Sequence, residues 1–427
     1  MSFLRSNGLW TLARIFLLGT VMSCCFGCSV LSHEAIIDAS WDVKLKPVLS
    51  IRYPRATPDE LKTAHAFAYG GSIIQDLGYY PHGSKEFSNL AHYVRTGDFV
   101  CALLSESHDL NEFAFALGAL SHYVSDSDVH RFATNPGEAM LYPKLRQRFG
   151  NVVTYEKDPA AHLKTEFGFD VLEIAKGNFA PQAYHHFIGF YVAKPLLMRA
   201  FENTYGLAIT DVFKDFDRSV ESYRRAVSKT IPAATRVAWA QRKGDIEQSA
   251  PGMTRNRFIY VMSRSSYERN WGKQYDWPSL GDQTIAVLLR LVPLIGPLRV
   301  FQFRMPTAPV EKLFMRSFDR SVQQYQAKLQ NVSDSRLLLE NINYDTGQVS
   351  VPGAYKLESD TYDYWLNQLA EKRRQTVTTE IKENLLHYYR DLDMPLPTEK
   401  SNKERARLLA EVEQLKSQPV ISSSMGN

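Results

Sequence analysis

The sequence is short of cysteine: there are four in 427 residues, with Cys24, Cys25 and Cys28 crowded together and Cys101 alone in the body of the chain. A scaffold stapled by several disulfides is therefore excluded. Net charge is scarce too. Fifty Lys and Arg face 46 Asp and Glu, a formal +4 that is too even for a protein built to coat nucleic acid. Uninterrupted apolar runs long enough to cross a bilayer are also missing. The most apolar internal stretch, 284–303, is broken by Arg290, Pro293, Pro297 and Arg299. It reads either as a kinked core segment or as an interfacial segment that touches lipid. What is present is a 44% hydrophobic chain with ample length to bury one large domain or two ordinary ones.

Residues 1–27 read as a secretory leader, with Arg5 and Arg14 ahead of a short apolar core, Ile15 to Met22, and small residues after it. Two processing routes are open. Val21-Met22-Ser23-Cys24 resembles a lipobox and would give a lipid-anchored protein, whereas cleavage after Gly27 releases a chain beginning at Cys28. Removing 1–27 takes away two Arg and no acid, leaving 48 basic against 46 acidic side chains, a mature charge of +2. The expected destination is export, to the periplasm, the cell envelope or the medium.

The pattern beyond the leader predicts an all-α fold. Residues 110–124, LNEFAFALGALSHYV, form a strongly apolar helix in which Gly118 and Ala119 let another helix come close. Asp158-Pro159 supplies an N-cap carboxylate and a proline at the first helical position, opening a helix that runs through 162–176. The expected organisation is a helical domain over 28–243, a Tyr- and Trp-rich connecting region over 244–283, and a helical C-terminal region over 284–427. Pro251-Gly252 and Trp277-Pro278 mark turns in the connector.

Histidine is unevenly spread: ten of the eleven lie before residue 187. Five stand four residues ahead of a carboxylate, where roughly one such pair is expected from composition, and this spacing stacks both side chains on one helix face. The pairs are His82/Glu86, His108/Glu112, His122/Asp126, His162/Glu166 and His387/Asp391. Context separates them. His122 and Asp126 share a stripe with Phe115, Gly118 and Ala119, so both face the interior, where a carboxylate must be paired or metal-bound. His130 continues the same spacing from Asp126. His162/Glu166 sits one turn into a capped helix beside Phe167 and Phe169. The other three pairs read as solvated faces, and Cys101 as a core residue.

These residues carry a resemblance. SHEAII at 32–37, GGSIIQDLGYYP at 70–81, LAHYVRTGDF at 90–99, FALGALSHYVSDSDVH at 115–130 and HLKTE at 162–166 are similar, in order, to the zinc-dependent phospholipase C family. Its wider superfamily includes single-strand-specific zinc nucleases. The likeness covers roughly residues 29–240 and does not reach the C-terminal part. It implies two to three zinc ions as cofactor, with Asp76, His92, His122 and Asp126 resembling the ligands of one. Asp126 would bridge to a neighbouring ion, and His130, His162 and Glu166 look like the ligands of another. His33 resembles the side-chain ligand of a third, which the family completes with the mature N-terminal residue; Cys28, five positions before His33, takes that place if cleavage follows Gly27. Asp128-Val129 departs from the small or amide residues expected before His130. His65, in TAHAFAYGG, reads as an orienting outer donor or a hydrogen-bonded core histidine.

The implied activity is phosphodiester hydrolysis by metal-activated water. Clustered zinc neutralises charge on phosphoryl oxygens and lowers the pKa of bound water to about 7, and Asp76 is the candidate proton acceptor. Phospholipid is the expected substrate and nucleic acid an unlikely partner. A nuclease of the same superfamily would need a basic groove and stacking platforms, for which the Tyr and Trp of 244–283 are the candidates. A non-catalytic envelope protein with structural zinc is disfavoured, because structural sites are usually cysteine-rich.

Overall fold

The computed structural model describes residues 30–176, 190–226, 243–248, 251–252, 302–371, 377–390 and 402–421. The leader, Cys28, His185-His186, most of the 244–283 connector and the 284–303 segment before Gln302 lie outside the described residues.

The fold is all-α. Helix α1 (Val30–Ser40) is followed by a π-helical turn (Trp41–Leu45), α2 (Lys46–Arg52), α3 (Pro58–Gly71) and a 3-10 turn (Ile74–Tyr79). Next come α4 (Lys85–Tyr93), α5 (Thr96–Ser105) and α6 (Leu110–Val129), which passes into a second π-helical turn (His130–Thr134) and α7 (Asn135–Leu141). Helices α8 (Pro143–Phe149), α9 (Pro159–Lys176), α10 (Lys194–Tyr205), α11 (Ile209–Val212) and α12 (Phe216–Arg225) complete the first half. The C-terminal part contributes α13 (Ala308–Ser333), a two-residue hairpin β1–β2 (Ile342–Asn343 with Gln348–Val349), α14 (Lys356–Glu371), α15 (Thr379–Tyr388) and α16 (Asn402–Ser417). The short parallel pair Val377–Thr378 with Val420–Ile421 is the other strand contact among the described residues.

Local chemistry sets the helix starts. Thr57 and Glu60 form a capping box ahead of Pro58, and Asp109 accepts from the backbone of Asn111 and Glu112 at the start of α6. Helix α9 begins where Asp158-Pro159 predicts, with Asp158 Oδ1 accepting from Ala161 N at 2.9 Å.

Helix α6 is the hub, and every residue from Phe113 to Asp126 on it is buried. A helix that is apolar on all sides requires cover on all sides. That cover comes from α1, α3, α5 and α13. Helices α3 and α6 approach through reciprocal glycines: a Cβ on Gly118 would lie 2.1 Å from Ala68 O, and one on Gly71 would lie 1.9 Å from Phe115 O. On the other side, α13 presents Val310, Phe314, Ser317, Ser321, Tyr325 and Leu329, a helical stripe spaced by threes and fours. Tyr325 donates to Leu117 O at 2.9 Å, and Arg320 Nε lies 2.7 Å from Asp128 Oδ1. Asp128 thus anchors the C-terminal region. Ser317 also donates to it, at 3.1 Å.

One hydrophobic core therefore runs through both halves of the described chain. Phe303, at the end of the apolar 284–303 segment, is buried edge-on to Phe167 at 5.2 Å. No helix among the described residues is long and apolar enough to cross a membrane. Cys101 is half-buried rather than fully in the core, and burial pushes its thiol up to about 11.

Gly118→Ala is expected to lower stability by at least about 1–3 kcal/mol, because the clashing atom is helix backbone and cannot swing away. Thermal unfolding checks this, and an unchanged melting temperature would refute the close approach. Arg320→Ala, which leaves the buried Asp128 without its cation, is expected to cost about 1–3 kcal/mol in the same assay.

Candidate metal centre

Six helices and turns deliver the site. His33 comes from α1, Asp76 from the 3-10 turn, His92 from α4, His122 and Asp126 from α6, His130 from the first position of the second π-helical turn, and His162 and Glu166 from α9. All eight are buried or nearly so. Ligand atoms of Asp76, His92, His122 and Asp126 lie within 4.8 Å of one another, as do those of His130, His162 and Glu166.

Asp126 joins the two groups. Its Oδ2 is 3.1 Å from His122 Nε2, 3.5 Å from His92 Nε2 and 3.9 Å from His130 Nε2, while Oδ1 is 3.2 Å from His33 Nε2. His92 Nε2 also reaches Asp76 Oδ1 at 3.1 Å, and Glu166 Oε1 takes both His130 Nε2 at 3.0 Å and His162 Nε2 at 3.3 Å. Every imidazole thus turns Nε2 toward carboxylates. The other nitrogens are held by the scaffold: His92 Nδ1 lies 2.7 Å from Ser88 O and His122 Nδ1 3.0 Å from Ser72 O. A carbonyl oxygen only accepts, so Nδ1 carries the proton in both and Nε2 is the face left for a cation. His33 Nδ1 meets Ser125 Oγ at 2.9 Å, and His162 Nδ1 meets Glu138 Oε1 at 2.9 Å.

The electrostatics follow from burying these charges together. Burial lowers the affinity of His92 for its proton, but hydrogen bonds to Asp126 and Asp76 outweigh it and raise the pKa to about 10. The same contest raises His33, His130 and His162. Burial pushes Glu166 up, yet His162 and His130 bring it down to about 2, and Asp126 is likewise held well below the usual range. Glu138 is pushed up to about 7 by burial, only partly offset by His162.

A cleft opens above these groups. Tyr79, Tyr93, Tyr155 and Leu163 line it beside the polar floor.

Several sequence expectations are placed elsewhere. His65 stacks between Trp41 at 3.7 Å and Tyr69 at 4.4 Å, facing Asp38 at 3.5 Å. These contacts put it in a separate polar pocket, as a core histidine rather than an orienting donor of the eight. His82, His108 and His387 are exposed, in keeping with solvated faces, and Glu112 is instead held by Arg199 at 2.7 Å. Cys28 and the third, N-terminal ion site lie outside the described residues.

Four residues escape sequence reasoning. Glu138 orients His162, and Asp170, one turn past Glu166, accepts from Leu31 N and Ser32 Oγ and so fixes the start of the helix that carries His33. The repeat 162/166/170 was the available signal for Asp170. Asp345 enters the cleft from a loop remote in sequence from the histidines, and Tyr155 from the loop just before His162, whose ring it meets edge-on at 5.3 Å; neither leaves a local signature.

A helical domain that converges five imidazoles and three carboxylates on one buried cleft defines a class of protein built to hold clustered metal. Residues 32–215 match the family described as zinc dependent phospholipase C. No curated protein and no solved structure matches the chain. The donor set fits zinc: the imidazoles can bind in their neutral form, and Asp76 Oδ2 is buried with no hydrogen-bond partner.

Because His92 holds its proton up to about 10, a cation must displace it, so metal uptake at neutral pH is expected to release protons and to weaken on acidification. Calorimetry in buffers of different ionisation enthalpy checks the release; heats independent of buffer would refute it. The metal-free protein carries the opposite dependence. The stabilisation from protonated His92 is complete below its ordinary 6.5 and is lost as pH rises through about 10, so chelated protein should melt progressively lower over that interval.

Proposed function

We propose that the chain is an exported zinc-dependent phosphodiesterase that cleaves phospholipids on the diacylglycerol side, in the manner of a phospholipase C. The observation that carries this reading is Asp126, whose two oxygens face His33 on one side and His92, His122 and His130 on the other. A carboxylate shared in this way suits adjacent cations, with Asp76, His92 and His122 holding one and His130, His162 and Glu166 another. Zinc bound there would neutralise developing phosphoryl charge and make water acidic enough to react near neutral pH.

The chain's own groups do the rest. Asp76 Oδ1 is engaged by His92, and its partnerless Oδ2 is the oxygen available to take a proton. The backbone carbonyls behind His92 and His122 hold both rings in one tautomer, so the geometry is set before substrate arrives. Tyr79, Tyr93, Tyr155 and Leu163 give the cleft an aromatic and apolar wall beside an ionic floor. That pairing suits an amphiphile whose phosphate sits at the charged end.

Export follows from the leader, with Arg5, Arg14 and the apolar stretch Ile15 to Met22 as its basis. Contact of the 284–303 segment with a lipid surface belongs to the same proposal. Intact mass of the mature protein separates the two processing routes, because a diacylated Cys24 removes the free Cys28 amine that a third ion would use.

The decisive experiment assays phosphatidylcholine, other phospholipids and single-stranded DNA side by side, with and without chelator. Diacylglycerol release that chelator abolishes and zinc restores is expected; turnover of DNA alone would replace this reading with the nuclease. Combined His122→Ala and Asp126→Ala should bring both metal content and hydrolysis to background. Retained activity, or fewer than two zinc ions per wild-type chain, would sink the clustered site.

A further inference from the structure

Four of the five imidazoles face a partner with Nδ1 from within residues 32–215: Ser125, Ser88 and Ser72 through hydrogen bonds, and Glu138 Oε1, 2.9 Å from His162 Nδ1, through an ion-pair contact that lacks hydrogen-bond geometry. His130 is the exception. Its Nδ1 is buried without a hydrogen-bond partner, and facing it at 3.9 Å is Asp345 Oδ1, which is also buried and partnerless. Two complementary buried groups left unmade would cost about 1–3 kcal/mol each. Imidazoles at metal sites almost always give their second N–H to a carboxylate, a carbonyl or water.

Asp345 lies far beyond the family match, in the turn between β1 and β2, and the structure holds that turn firmly against the site. Tyr344 N donates to His92 O at 3.0 Å, and Asn135 Nδ2 donates to Asp345 O at 2.8 Å. Asn343 Oδ1 accepts from Asp345 N and Thr346 N, closing the turn from inside. Gly347 has φ +62°, and a Cβ there would stand 2.5 Å from Ser127 O, so the hairpin docks where only glycine fits. Asp345 Oδ2 is already committed, accepting from Tyr155 N at 2.9 Å and Tyr355 Oη at 2.7 Å. The carboxylate plane is thereby fixed, and its remaining oxygen is the one that faces His130.

Resting on the metal reading above, we propose that Asp345 is the positioning residue of His130. It accepts the Nδ1 proton once a small ring shift closes the 3.9 Å gap, so the metal centre is completed by the C-terminal hairpin. Residues 32–215 supply the ligands but not the full set of groups that orient them.

The test uses the full chain. In zinc-loaded wild type, nitrogen-resolved NMR should show His130 protonated at Nδ1, with that proton shifted downfield by a charged acceptor. Asp345→Asn should lose the downfield shift and bind one zinc ion about 10–100-fold more weakly in competition with a chelating dye. Tyr355→Phe removes one of the two partners of the other oxygen, with Tyr155 N left to hold the carboxylate plane, and should lower the melting temperature while weakening zinc far less than Asp345→Asn. Asparagine at 345 with wild-type affinity and an unchanged His130 signal overturns the proposal, as does an equal loss of zinc in Tyr355→Phe. If Asp345→Asn does not fold, the wild-type spectrum decides alone: a His130 Nδ1 without its proton refutes the assignment. A wild-type chain that binds no zinc refutes the metal reading first, and this inference with it.

Discussion

The structure depends on the cost of burying Asp126. A lone carboxylate in an apolar interior is penalised by several kcal/mol even after relaxation, and this one sits on the most enclosed helix of the protein. Four imidazoles from three other elements and its own helix surround it. Each of these is itself buried and needs an acceptor for its second nitrogen, which pulls the backbone of Ser72 and Ser88 and the side chain of Ser125 into fixed positions. The demand spreads outward, so one buried charge constrains much of the first half of the chain. Such a network is stable only when complete, and a cation is the natural counterpart of so dense a set of acceptors.

Helix α6 can carry that charge because its surroundings were made small where they had to be. Gly118 and Gly71 let α3 lie against it, and Ser72, at the end of α3, then offers its carbonyl to His122. The same close packing that a methyl group would disrupt therefore sets the tautomer of a site residue. Fold and site are linked at one crossing of two helices.

The helix starts at 110 and 159 and the inward face of α6 were legible in the sequence because caps, proline and spacing are local signals. Five of the eight site residues were legible for a related reason: His122/Asp126 and His162/Glu166 are helical neighbours, and His130 extends the first pair, whereas Asp76, His92 and His33 entered only through the resemblance. What was not legible depends on contacts between distant parts of the chain. Asp345 sits in N-Y-D-T-G, which reads as a turn and nothing more, and it lies some two hundred residues from the histidine it faces. Glu138 follows a proline and a glycine and has no periodic partner. His65 shows the converse, since a histidine in a small-residue helix invites a role at the site, yet Trp41 and Tyr69 stack on it elsewhere.

The C-terminal region raises a different point. Helix α6 is apolar around its whole circumference, and α13 provides one wall of its cover. Remove that wall and Leu117, whose carbonyl Tyr325 caps, and Asp128, which Arg320 and Ser317 hold, would face water or stand unpaired. A carboxylate before His130 is costly by itself and becomes acceptable only when Arg320 is present. A site-flanking acid is therefore held by residues beyond 302, and the two parts of the described chain are one folding unit in the energetic sense: each leaves buried polar groups unmade without the other.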